Sequence, residues 1–305
     1  MGLHLLKMGN LMKAILFPGQ GSQTVGMAKN HFESNETVKK RFEEANELLG
    51  YSITEIMFEG TADRLKQTKY TQPAIFLHSV ALFESLDITP DVVAGHSLGE
   101  FSALASIGAI SFSEALKLVS LRGELMQKAG ESNPGTMAAV IGMDDDVVDK
   151  ICNKATDIIG KPVVAANYNC PGQLVISGDV EAVDKAIELA KEEGCRLAKK
   201  LPVSGAFHSP LMQPALEGLK NKLDNIDFKT PVCPIYSNVT AEPTTDPATI
   251  KQNLVDQLIS PVRWTQTLEK MSSNGIDEFV EVGPGKVLQG LVKRTVKTAN
   301  ISGHE

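Results

Sequence analysis

Residues 95–99, Gly95-His96-Ser97-Leu98-Gly99, set Gly-x-Ser-x-Gly between a short apolar, β-branched run at 91–94 and a stretch at 100–106 that reads as helix. A serine at such a strand-to-helix corner stands on a sharp turn, and Gly95 and Gly99 relieve the crowding that a Cβ would cause there. The turn pushes the hydroxyl out at the end of the strand. Two further gains follow from the location: the amide of Leu98 points at a developing oxyanion, and the helix N-terminus favours negative charge at that place. The spacing and its context together predict a nucleophile elbow.

The rest of the chain bounds what surrounds the elbow. At 305 residues it holds one large domain or two medium ones, on a prior of about 100–200 residues per domain. Hydrophobic residues make up 42% and charged residues 22%, the balance of an ordinary globular protein that can bury a sizeable core. A net charge of −7 argues against nucleic acid as a partner, which needs a basic face. Cys152, Cys170, Cys195 and Cys233 are scattered, with no C-x-x-C and no histidine at metal-ligand spacing, so they read as reduced thiols of a cytoplasmic protein. No cofactor or metal is expected. No run of 18 apolar residues marks a membrane span, and residues 1–12 lack the apolar length of a signal peptide, so they are expected to be a disordered extension. Nothing in the sequence sets the oligomeric state, and a monomer is compatible with it.

Taken in order, a strand at 14–17 runs into Pro18-Gly19-Gln20-Gly21-Ser22-Gln23. Thr24 occupies the place of the third glycine of a dinucleotide fingerprint, which leaves a tight loop with Gln20 at its tip and amides able to approach a ligand. Helices are expected at 35–49 and at 75–85, the latter opened by Gln72-Pro73-Ala74, then, beyond the elbow, at 113–129 with a capping box at Ser111 or Ser113. That last helix carries Arg122 among Leu118, Val119, Leu121 and Leu125, a position that reads equally as a solvated helix arginine. Between 134 and 203 the periodicity runs β-α-β-β-α-β, the split βαβ or ferredoxin-like unit, which predicts a subdomain with its own core. Helices at 211–223, 247–258 and 264–274 and strands at 235–238 and 278–282 complete the chain. Gly285-Lys286 is no P-loop, because Val287 replaces the Ser or Thr and Val280 the first glycine.

A serine nucleophile needs a base at neutral pH, and histidine is the usual one. Of six histidines, His4 and His304 lie in the tails, His31 in a polar stretch and His78 on an apolar helix, where a satisfied core histidine is the ordinary outcome. His96 adjoins Ser97, and neighbouring side chains diverge. His208 remains, in the loop Gly205-Ala206-Phe207-His208-Ser209-Pro210. No aspartate stands out to orient it, so a backbone carbonyl or an amide is the expected third partner.

Phe17-Pro18-Gly19-Gln20-Gly21-Ser22-Gln23, Gly95-His96-Ser97-Leu98-Gly99-Glu100, Arg122-Gly123, Gly205-Ala206-Phe207-His208-Ser209 and Val282-Gly283-Pro284-Gly285-Lys286 together resemble the malonyl-CoA:acyl carrier protein transacylases, in order, from Lys13 to about Thr295. The resemblance implies an α/β-hydrolase-like large domain at 13–133 and 204–305, with the ferredoxin-like subdomain at 134–203 inserted. It implies Ser97 as the acylated nucleophile, His208 as its base, and Gln257 as the residue whose main-chain carbonyl orients His208. The amides of Gln20 and Leu98 would form the oxyanion hole, Arg122 would hold the malonyl carboxylate, and Phe207 before His208 matches the malonyl-selective members. Malonyl-CoA and holo acyl carrier protein are the implied partners. Cys170 departs from the serine frequent after Asn-Tyr-Asn and reads as packing. A serine thioesterase or esterase shares the elbow and histidine, and an acyltransferase serving a polyketide pathway differs only in its carrier. A non-catalytic carrier-protein scaffold would have no use for an intact Ser97, His208 and Arg122. Lys286, Lys293 and Arg294 are expected to form a basic strip for docking the carrier.

Overall fold

The computed structural model describes residues 12–203 and 205–305; the extension expected at 1–12 falls outside the described residues except for Met12, which opens the first strand. β1 (Met12–Phe17) alternates cleanly, Ala14 and Leu16 packing into one apolar core and Ile15 and Phe17 into another on the opposite face, so this strand is buried on both sides. Helices α1 (Lys29–Ser34), α2 (Glu36–Leu49), α3 (Ile53–Phe58), α4 (Ala62–Leu65) and α5 (Thr68–Ser85) follow. β2 (Val92–Gly95) and α6 (Gly99–Ser106) form the elbow, and α7 (Phe112–Ser132) starts at Ser111, whose hydroxyl accepts from Glu114 N as the capping box requires.

Next come β3 (Gly135–Ile141), α8 (Asp145–Ile159), β4 (Val163–Cys170), β5 (Gln173–Asp179), α9 (Val180–Glu192) and β6 (Leu197–Lys200), in the order expected from the periodicity. The chain closes with α10 (Gln213–Asp224), β7 (Ile235–Tyr236), β8 (Pro243–Thr244), α11 (Pro247–Gln257), α12 (Trp264–Ser273), β9 (Ile276–Val282), α13 (Val287–Thr295) and β10 (Asn300–His304).

The result is an α/β fold with two sheets. One has six strands in the order β10-β9-β1-β2-β7-β8, parallel except where β8 pairs with β7. The other is antiparallel, β4-β5-β3-β6, and packs its own apolar core, including Val140, Ile151, Leu174 and Ile187, against α8 and α9. The sheets are tied where Val262 N donates to Ala166 O at 2.8 Å and Tyr168 N to Val262 O at 2.9 Å. That seam brings β4 beside the C-terminal ends of β1 and β2.

Three expectations change. α5 begins at Thr68 and carries Pro73 in its interior, because Thr68 and Thr71 are buried polar residues that a hydrophobic pattern assigns to the preceding loop. Burial of that first turn outweighs the hydrogen bond that Pro73 forfeits. His304 is not in a tail but in β10, an edge strand whose mostly exposed Asn-Ile-Ser-Gly-His lacks an apolar face and is held by its ladder to β9. β6, the last strand of the unit expected to run to 203, ends already at Lys200.

Candidate active site

Ser97 sits on the β2–α6 corner at φ 52°. A Cβ on Gly95 would run into the backbone of Gly99 and Glu100, and one on Gly99 into the carbonyl of Phe17, so both glycines are demanded by close backbone approach. The corner is clamped by a residue that pattern reading missed. Asn238, just beyond β7, accepts from Ser97 N through Oδ1 at 2.7 Å and donates through Nδ2 to Gly95 O at 2.7 Å.

His208 enters from the loop before α10, 3% exposed and at φ 56°. Its Nδ1–H donates to the main-chain carbonyl of Gln257 at 2.9 Å, which leaves Nε2 to accept from the Ser97 hydroxyl at 2.7 Å. Gln257 is the last residue of α11, where helix carbonyls lack intrahelical donors. Burial, and then the positive charge of Arg122, pushes His208 down to about 3, so the imidazole stays neutral.

Arg122 is no solvated helix residue. It is 1% exposed, stacked over Phe101, with Nη1 donating to Gln72 Oε1 at 2.8 Å and Nη2 to Gln257 Oε1 at 3.0 Å and Ser97 Oγ at 3.1 Å. Its Nε has no partner among the described residues. Desolvation lowers it to about 10, opposed by the charge of Glu100. Glu100 is equally buried: burial raises it to about 7, against hydrogen bonds from Gln257 Nε2 at 2.6 Å and Asn238 N at 3.3 Å. An acid in the first turn of the otherwise apolar α6 was the available signal for this residue.

These groups open on a cavity of about 300 Å³ between the two sheets, with Gln20, Leu98 and Phe207 on one wall and Met137 and Val175 on the other. Gln20 is held by a 3.4 Å bond from its side chain to Thr68 Oγ1. Ser97, His208, Arg122, Gln257, Gln20 and Leu98 therefore come together. His96 does not reach Ser97; it bonds Asn169 Oδ1 at 2.9 Å and packs on Trp264. His78 is buried as expected, yet neither ring nitrogen has a partner among the described residues. Cys170 is buried. Among the described residues no cluster of three or more His, Cys, Asp or Glu is placed to hold a metal, and no helix is long and apolar enough to cross a membrane.

A hydroxyl on an elbow, a neutral imidazole accepting its proton, and a buried guanidinium beside them make a site able to move an acyl group through a serine ester. The chain belongs to the acyl transferase family, whose domain model matches residues 15–305. More particularly, it is 47% identical over 298 residues to the malonyl CoA-acyl carrier protein transacylase of Bacillus subtilis (strain 168), covering 96% of this chain and 94% of that protein. Among solved structures, an acyl carrier protein S-malonyltransferase from Vibrio cholerae O1 biovar eltor superposes with a TM-score of 0.92 at 45% identity, over 96% of each chain. A malonyl-transacylase in complex with a type II PKS acyl-carrier protein superposes with a TM-score of 0.91 at 40% identity, over 96% of this chain and 94% of that one.

Proposed function

We propose that this enzyme transfers the malonyl group from malonyl-CoA to the phosphopantetheine thiol of holo acyl carrier protein, through a malonyl ester on Ser97, and so supplies the extender unit for fatty-acid synthesis. The observation that carries the reading is the buried Arg122, which lines the cavity and reaches Ser97 Oγ at 3.1 Å, a cation set beside the nucleophile where the free carboxylate of a malonyl group would stand. A hydrolase of neutral esters gains nothing from it. The planar fork of arginine matches a carboxylate, and each charge-assisted hydrogen bond contributes about 1.5–3 kcal/mol.

In the first half-reaction His208 Nε2 takes the proton of Ser97 Oγ as Oγ attacks the thioester carbonyl. The oxyanion is received by the amides of Gln20 and Leu98, each such donor typically being worth about 10²–10³ in rate. Collapse breaks the C–S bond, and the CoA thiolate leaves with the proton from His208. In the second half the carrier thiol gives its proton to His208, attacks the serine ester, and Ser97 Oγ recovers the proton. The carbonyl of Gln257 holds the imidazole in the required tautomer and stabilises the imidazolium more mildly than a carboxylate would.

The architecture that goes with this reading is an α/β-hydrolase-like large domain, 13–133 and 204–305, with a ferredoxin-like subdomain, 134–203, inserted; the separate core behind the antiparallel sheet supports it. A cytoplasmic location fits the thiol-bearing cysteines. The likeness to a transacylase bound to a PKS carrier favours, as a second reading, the same reaction in a polyketide pathway.

The test is intact mass after brief exposure to malonyl-CoA or acetyl-CoA. A malonyl adduct that is lost in Ser97→Ala, weakened in Arg122→Ala and discharged by holo carrier is the expected result. An adduct forming equally from acetyl-CoA and decaying in water alone would overturn it, and discharge rates onto fatty-acid and polyketide carriers separate the two pathways.

A further inference from the structure

We propose that Glu100 is a positioning residue for acyl transfer: by the reach of its side chain, rather than by its charge, it pins Gln257 and the Asn238 loop to the elbow and so sets the line along which His208 addresses Ser97. The inference rests on the acyl-transfer reading of the site and deepens it.

Glu100 stands three residues after Ser97 in the first turn of α6 and is 2% exposed. A buried carboxylate is costly unless donors satisfy it. Here both donors reach one oxygen, Oε2: Gln257 Nε2 at 2.6 Å and Asn238 N at 3.3 Å. Each donor belongs to a residue that also holds the reacting pair. Gln257 gives its main-chain carbonyl to His208 Nδ1–H, and the same Nε2 donates to Ser97 O at 3.0 Å. Asn238 clamps Ser97 N and Gly95 O.

α11 shares no strand ladder with the elbow. The carbonyl that orients His208 lies at its C-terminal end, where the helix itself supplies no donor to it. The side chain of the same residue supplies a constraint, its shortest bond running to Glu100 at 2.6 Å beside those to Ser97 O and Arg122. A misplacement of about 1 Å in such a site costs about 10²-fold in rate.

Reach and charge are separable. Glu100→Gln keeps the side-chain length and an oxygen able to accept from both donors but removes the charge. Glu100→Asp keeps the charge but falls one methylene short. Gln257→Met breaks the same link from its other end while leaving the main-chain carbonyl.

The experiment measures two rates for each variant: modification of Ser97 by a neutral fluorophosphonate, which uses the serine and its base but not the malonyl contact of Arg122, and single-turnover malonyl loading from malonyl-CoA. With kcat and KM for malonyl-CoA and the thermal midpoint measured alongside, the expected pattern is specific. Glu100→Gln stays within about 3-fold of wild type, whereas Glu100→Asp and Gln257→Met lose about 10²-fold in fluorophosphonate rate. For Glu100→Asp the loss appears in kcat, with KM for malonyl-CoA held. Wild-type rates in either Glu100→Asp or Gln257→Met, or a fall in Glu100→Gln as deep as in Glu100→Asp, would overturn the proposal. A wild-type protein that takes fluorophosphonate but no malonyl group would instead sink the malonyl reading, with Glu100 still judged on the fluorophosphonate series.

Discussion

Ser97 and His208 meet at 2.7 Å, and both hold the backbone in the left-handed region, at φ 52° and φ 56°. They are two of the four non-glycine residues with positive φ among the described residues, the others being Ala28 and Ala241. Such a conformation costs on the order of 1–3 kcal/mol per residue and persists only where its surroundings over-determine it. For Ser97 the surroundings are Asn238 and the two glycines; for His208 they are the Gln257 carbonyl and the serine itself.

The elbow's dependence on backbone approach makes Gly95→Ala a severe change. The added methyl meets the backbone of Gly99 and Glu100, which no rotamer relieves. A loss of about 3 kcal/mol or more in urea unfolding is expected, with malonyl loading abolished.

The pH behaviour of His208 follows from its burial. His208 stands near 3, so kcat/KM for malonyl-CoA should show no acid limb near the ordinary histidine value of 6.5. An unfolded histidine takes up a proton below 6.5 whereas the folded one does not until about 3, so this group's stabilisation is present above 6.5 and lost as pH falls. Glu100 works in the opposite sense: its folded value near 7 against 4.5 costs stability as pH rises between the two. Urea titrations of Glu100→Gln should therefore lose less stability than wild type between those pH values.

His78 offers a stabilising substitution. It is buried with both ring nitrogens unpartnered, and burial lowers it to about 3. His78→Leu should gain about 1–3 kcal/mol at pH 7 by removing an unsatisfied polar group. The gain should widen towards pH 5, because wild type alone loses stability as the unfolded imidazole protonates. Denaturant midpoints at the two pH values check both parts.

Malonyl selectivity should reside in the fork of Arg122. Arg122→Lys retains a cation but not the bidentate geometry, and should lower kcat/KM for malonyl-CoA by about 10–100-fold, consistent with one lost charge-assisted bond. Acetyl loading should be unchanged or higher, which the same mass assay reads.

A carrier docking at the strip expected from Lys286, Lys293 and Arg294 makes a further prediction. Lys286, Lys293 and Arg294 are exposed on and beside α13, whose Leu288 and Leu291 line the cavity. Arg294 also bonds Gln173 on the facing sheet at 2.6 Å. Reversing all three charges should raise KM for the carrier and flatten its salt dependence while leaving malonyl-CoA kinetics in place. Unchanged carrier KM would dismiss the strip.

The elbow, the βαββαβ order and a capping box at Ser111 or Ser113 were legible in the sequence because each is local: sterics around one turn, a repeat period, a hydrogen bond three residues long. That His208 is the histidine beside Ser97 was legible by elimination, and the resemblance named Gln257, Gln20 and Arg122, which lie around the same pair. What the sequence could not decide was which polar residues share one buried volume. Ser97 meets His208 across 111 residues, its Asn238 clamp across 141 and Gln257 across 160. Arg122 reads equally as a solvated arginine until α5 and α11 close over it, and Thr68 to Thr71 reads as loop until burial draws it into a helix. Local sequence encodes backbone sterics and hydrophobic period; burial and the partners of a charge belong to the packed whole, because desolvation depends on every element that covers the group.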